Sequence, residues 1–173
     1  LIHYGGNSAI KSGLLDRVKK ALEEENIAYC LCGGVVANPL LSKVNEGIEL
    51  CRKEEVDFIL AVGGGSVLDS SKGIAYGVYN EGNVWDYYAR KKKVKGALPM
   101  GCILTLSATG SEMSNSSVIT NEDGNLKRGL SSEFGYFKFS ILNPELTYTV
   151  PQYQTMCGCT DIIMHTFERY FTP

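Results

Sequence analysis

The stretch VDFILAVGGGSVLDSSKG, residues 56–73, restricts the fold more than any other part of the chain. Its first seven residues are nearly all apolar, of strand length, and do not alternate with polar ones. Such a strand needs cover on both faces, as a central strand of a parallel sheet has. Gly63, Gly64 and Gly65 end the run, and a helical segment follows from Ser66 to about Tyr79.

The rest of the chain repeats that alternation. Residues 1–4 read as a strand ending at Gly5-Gly6, and residues 10–25 carry helical spacing in Leu14, Leu15, Val18, Ala21 and Leu22. Residues 28–32 read as a strand ended by Gly33-Gly34. Residues 39–53 read as a helix with Pro39 in its first turn. Further strands are expected at 101–106 and 137–142, and 118–120 with 126–130 flank the turn signal NEDGN. From Pro151 a helix runs on with no strand after it. The pattern predicts an α/β fold: a Rossmann-like, mainly parallel sheet with flanking helices over residues 1–150, then over 151–173 the first helix of something else. The chain begins at Leu1, inside what reads as a strand, so a preceding first strand is expected to be missing.

Charge nearly balances, 17 basic against 19 acidic residues, which gives no support for nucleic-acid binding by bulk electrostatics. The one basic run, Arg90 to Lys95, reads as a solvated loop. Six cysteines without a disulfide-like spacing favour a reducing, cytoplasmic setting. No apolar segment approaches the ~20 residues of a membrane span, so no membrane association is expected.

The glycine turn also suggests chemistry. A strand that ends in glycines and opens a helix brings backbone amides close to a ligand, and the helix dipole favours an anion such as a dinucleotide pyrophosphate. Ser66 and Asp69 equally fit a capping-box-like arrangement, in which case the segment is a well-capped helix and no more. Gly5-Gly6-Asn7-Ser8 repeats the theme, and TLSATGSEMSNSS after the 101–106 strand is a polar loop of the kind that lines ligands.

Near the end of the chain Asp161 and His165 stand four residues apart, on one face of a helix, which suits a divalent metal. A solvent-facing acid–imidazole pair is the plain alternative, and a thiolate site using Cys157 and Cys159 is a rival. His3 is the only other histidine, and further ligands are expected outside this sequence.

Four segments in order, GGGSVLDSSK, TLSATGSE, NPELTYTVP and GCTDIIMHTFERY, resemble the iron-containing (group III) alcohol dehydrogenases, nearest the butanol dehydrogenase and broad aldehyde reductase branch. The resemblance runs from Tyr4 to Pro173. It implies that residues 151–173 begin an all-helical metal-binding domain, and that Asp161 and His165 are two of four metal ligands, the catalytic residues acting through the ion. It implies that Gly5, Gly6 and Ser8 lie near the adenosine ribose. Gly63, Gly64, Gly65 and Ser66 would hold the pyrophosphate, with Asp69 toward the nicotinamide. Thr105, Thr109 and Ser111 match the polar cofactor loop, Lys127 a lysine near the cofactor ribose, and Leu146 a position packing on the nucleotide. Asn115 also falls in this loop, in an alignment that slides by one residue.

The implied activity is metal-dependent hydride transfer between NADP(H) or NAD(H) and a small aldehyde or primary alcohol such as butanal or butanol. The metal is Fe(II) or Zn(II), whose preferences the mixed N/O set does not separate. No acidic side chain stands in Gly6-Asn7-Ser8, so NADP(H) is allowed and slightly favoured. A homodimer is possible. The 173 residues alone are expected to be inactive. The alternatives are a dehydroquinate-synthase or glycerol-phosphate-dehydrogenase relative, whose metal-helix patterns differ, and a non-catalytic nucleotide-binding module.

Overall fold

The computed structural model describes residues 1–172; Pro173, which the expected helical segment included, lies outside the described residues. Five parallel strands form the central sheet in the order β2-β1-β3-β4-β7. These are β1 (Ile2–Gly5), β2 (Leu31–Val35), β3 (Ile59–Gly63), β4 (Met100–Leu104) and β7 (Phe139–Ile141). A separate antiparallel hairpin joins β5 (Ser116–Asn121) to β6 (Leu126–Ser131). The helices are α1 (Ser8–Lys11), α2 (Leu14–Glu24), α3 (Leu41–Lys53), α4 (Gly65–Tyr79), α5 (Trp85–Tyr88) and α6 (Gln152–Phe171).

The apolar strand β3 is central, paired in parallel with β1 on one side and β4 on the other. Its side chains divide by the period-two rule. Val62 packs with Leu14, Leu15 and Val18 of α2, while Ile59 packs with Val44 and Ile48 of α3 and Ile74 of α4. Helices on both faces cover the strand, which is why it carries no polar alternation. Among the described residues no helix is long and apolar enough to cross a membrane.

The local differences from expectation have identifiable causes. The helix read at 10–25 is two helices, because Gly13 between them adopts φ +73, a left-handed conformation that interrupts the helical path. Gly33-Gly34 does not end β2 but lies inside it. The Tyr4 ring occupies the space where a Cβ on Gly33 would sit, and the β1–β2 register shifts at this point. Pro39 precedes α3 rather than starting it: its carbonyl accepts the Thr120 amide at 2.8 Å, and Leu40 bridges Thr120. The hairpin thereby docks on the β2–α3 connection. The basic run is an exposed loop in which Lys91 and Lys92 lie 3.8 and 3.5 Å from the Asp86 carboxylate.

Strand order reverses at β1: the chain goes from β1 to β2 on one side, then returns to β3 on the other. Between β1 and β3 lies the switch point, where open α/β sheets leave a crevice beyond the carboxyl ends of the strands. Gly5-Gly6 and Gly63-Gly64-Gly65 flank that crevice.

Candidate functional site

Two clefts lie side by side at the crevice, separated by the glycine turn. The first, about 580 Å³, is bounded by Ser8, Gly64, Thr105 and Leu106 at the ends of β1, β3 and β4. Glu145, Leu146, Thr149, Val150 and Gln154 form its opposite wall, and Arg17 stands at its side. The second, about 250 Å³, runs between the first turns of α4 (Gly65, Ser66, Asp69) and the segment containing Thr109, Ser111, Ser114 and Ser116–Val118. Asn38, Pro39 and Lys127 close its side.

Of the residues expected at a cofactor, Ser8, Gly64, Thr105 and Leu146 line the first cleft. Gly65, Ser66, Asp69, Thr109, Ser111 and Lys127 line the second. Gly5, Gly6 and Gly63 border the crevice without lining either cleft. Asn115 also lines neither, while its neighbours Ser114 and Ser116 do.

None of Gly63, Gly64 and Gly65 has a positive φ, so a left-handed turn is not what demands them. Close approach does. A Cβ on Gly63 would overlap Val67, and one on Gly65 would overlap the Thr109 hydroxyl. The Gly64 carbonyl accepts the first helical bonds, from Val67 at 3.0 Å and Leu68 at 3.2 Å. The amides of Gly65 and Ser66 precede those bonds and lie at the positive end of the α4 dipole.

Asp69 corrects the capping-box reading. The N-cap of α4 is Gly64, with no side-chain cap bond, and the Asp69 carboxylate turns toward the hairpin instead. Its Oδ1 accepts the Ser111 hydroxyl at 2.7 Å and its Oδ2 the Val118 amide at 3.0 Å. Burial raises the Asp69 carboxyl above its ordinary pKa, and the two hydrogen bonds oppose that shift. Sequence reasoning passed over Lys72, which is fully buried beneath this segment. Its spacing three residues after Asp69 on α4 was the available signal, since i and i+3 share a helix face. Lys127 reaches across from β6, its Nζ donating to Asn38 Oδ1 at 2.7 Å.

His3 has a different place from the metal. It is buried in β1, with Nδ1 2.8 Å from the Cys32 carbonyl and Nε2 2.8 Å from Ser70 Oγ. A carbonyl only accepts, so Nδ1 carries the proton and Nε2 accepts the serine hydroxyl. Burial lowers its pKa to about 4, which leaves the ring neutral.

On α6, His165 Nε2 lies 3.5 Å from Asp161 Oδ2, so the pair shares one face. Both side chains are exposed, and His165 Nδ1 is also 3.6 Å from Glu168 Oε2. Among the described residues no three or more His, Cys, Asp and Glu side chains converge on one point. Cys157 and Cys159 are exposed and complete no such group.

A profile of the iron-containing alcohol dehydrogenases matches residues 1–144. The chain belongs to this family. It is 48% identical over 172 residues to NADH-dependent butanol dehydrogenase A of Clostridium acetobutylicum, covering 99% of this chain and 44% of that protein. It is 39% identical over 175 residues to the NADPH-dependent aldehyde reductase YqhD of Escherichia coli, covering 99% of this chain and 45% of the reductase. The crystal structure of NADH-dependent butanol dehydrogenase A from Thermotoga maritima superposes with a TM-score of 0.93 at 45% identity, over 98% of this chain and 43% of that one. The chain thus spans less than half the length of these relatives. The fold is that of the solved family members, a five-stranded parallel sheet with flanking helices, and α6 begins the helical domain.

Proposed function

We propose that the protein containing this chain transfers hydride between NAD(P)(H) and a small aldehyde or primary alcohol such as butanal or butanol, with a divalent metal. The observation that carries the reading is the gathering of the expected cofactor residues around two adjoining clefts at the β1/β3 switch point. In this reading the adenosine half lies in the first cleft, against Ser8, Thr105 and Leu146. The pyrophosphate lies over Gly64, where the Gly65 and Ser66 amides can donate to it. The nicotinamide half then enters the second cleft, beside Asp69, Thr109 and Lys127.

The nicotinamide, when bound, supplies or accepts the hydride. Residues 1–150 bind and orient it. The loop Gly5 to Ser8 has no carboxylate, while Arg17 and Glu145 both border the first cleft, so the reading accepts either NADH or NADPH.

Asp161 and His165 fit a metal as half of a ligand set. Their oxygen and nitrogen donors are near each other, exposed, and of the type that suits Fe(II) or Zn(II). A divalent ion held there supplies Lewis-acid polarisation of a substrate oxygen. The boundary near residue 150 is supported by α6, which buries none of its residues against the α/β body.

The test is to load the full-length protein with Fe(II) or Zn(II) and follow NADH and NADPH absorbance with butanal. Oxidation of at least one cofactor is expected. Oxidation of neither with any short aldehyde ends the reading.

A further inference from the structure

Lys72 has no surface exposed, and burial lowers its pKa to about 8, which leaves it an ammonium at neutral pH. Its Nζ lies 2.8 Å from the carbonyls of Ser111, Ser114 and Ser116, and 2.9 Å from Ser111 Oγ. The Phe137 ring covers another side, with its centroid 5.2 Å away. An ammonium has three N–H donors and here meets four acceptors, so at least one donor is shared. Ser111 Oγ, while accepting from Lys72, donates to Asp69 Oδ1 at 2.7 Å, and Asp69 Oδ2 takes the Val118 amide at 3.0 Å. The buried cation and the carboxylate therefore meet through one serine hydroxyl, and both grip the same stretch of chain, residues 111–118.

That stretch has no regular structure from 111 to 115, and it forms a wall of the second cleft through Ser111, Ser114, Ser116 and Val118. Lys72 does not line the cleft itself. Burying an ammonium is costly unless its hydrogen bonds are met, so its site is satisfied by one arrangement of the three carbonyls. Without the cation, three carbonyl oxygens and a hydroxyl converge with no donor between them, and the loop has a reason to open.

We propose that Lys72 is a positioning residue for the cofactor: it holds the 111–118 wall preassembled against Asp69, so that ordering this loop is not a cost of binding. The inference rests on the reading of the second cleft as the nicotinamide site.

The experiment measures NADH and NADPH dissociation constants, aldehyde KM and metal content for the full-length protein and its Lys72→Met variant. Hydrogen exchange at the Ser116 and Val118 amides is followed in the wild type with and without cofactor. Lys72→Met is expected to raise the cofactor dissociation constant roughly tenfold or more, with aldehyde KM and metal content unchanged. A folded variant that binds cofactor within about twofold of wild type overturns the proposal. The wild-type exchange arm decides even if the variant does not fold. Protection of both amides before cofactor is added supports a preassembled wall, and fast exchange that slows only on binding overturns it. A wild type that binds neither NADH nor NADPH refutes the dehydrogenase reading itself, a result distinct from either outcome for Lys72.

Discussion

The Asp69 carboxylate accepts the backbone amide of Val118 at 3.0 Å, joining the first turns of α4 to a hairpin 49 residues further along the chain. Its other oxygen accepts the Ser111 hydroxyl at 2.7 Å. Both partners are donors, and a carboxylate is acceptor-only, so the match is complete. Asp69→Asn keeps the size but points an NH2 group at one of these donors. We expect a loss of about 1–3 kcal/mol in urea denaturation, together with weaker cofactor binding. Unchanged values for both would show that the contact contributes little.

Gly65 and Gly6 are both glycines of the crevice, but only one has no room for a side chain. A methyl on Gly65 would collide with the Thr109 hydroxyl, whereas a methyl on Gly6 meets nothing within 4 Å. Gly65→Ala is expected to displace Thr109 from the second cleft and raise cofactor KM by about tenfold or more, with Gly6→Ala within about twofold of wild type. Steady-state kinetics on the full-length protein separates the two.

His3 makes stability depend on pH in a defined window. Its pKa falls from the ordinary 6.5 to about 4, chiefly through burial; the Cys32 carbonyl contact and Glu46 oppose the shift, and Lys43 reinforces it. The unfolded chain therefore binds the proton first. The contribution is intact above pH 6.5 and is lost as pH falls toward 4, a change of about 3 kcal/mol. Urea midpoints from pH 7 to 4 should fall less steeply in His3→Asn, whose amide can still donate to the Cys32 carbonyl. Parallel curves for the two proteins would rule the histidine out as the source.

Asp161 and His165 share one face of α6, with His165 Nε2 3.5 Å from Asp161 Oδ2. Asp161→Asn and His165→Ala are each made in the full-length protein. Bound iron or zinc, measured by elemental analysis after dialysis, should drop by about tenfold or more. Full retention in both variants would place the ion elsewhere.

Much of the fold was legible because its signals are local. The covered strand at 56–62, the glycine turn after it and the NEDGN hairpin each announce themselves within a dozen residues. Readings failed where a distant neighbour intervened. Gly33-Gly34 reads as a strand end, and only the Tyr4 ring lying over it shows why the strand continues. Pro39 reads as a helix start, and only Thr120, eighty-one positions later, holds it outside the helix. In the site, Gly64 and Asp69 could be named from a motif that resembles the family, and Lys127 from what that resemblance implies. Lys72 ends the same GGGSVLDSSK segment, three residues after Asp69, but that spacing does not show its burial, because a lysine on a helix is ordinarily solvated and nothing beside it in the chain shows that three carbonyls close over it.

By itself, the order of residues determined the layered α/β arrangement, the glycine turn at the strand ends and the acid–imidazole pair on one helix face. Hydrophobic periodicity and backbone sterics act between near neighbours, so they can be read along the chain. Tertiary structure alone decided the division of the crevice into two clefts, the neutral state of His3 and the burial of Lys72 behind the 111–118 wall. Those outcomes depend on desolvation and on hydrogen-bond partners brought from remote segments, and such terms exist only once the chain has closed on itself.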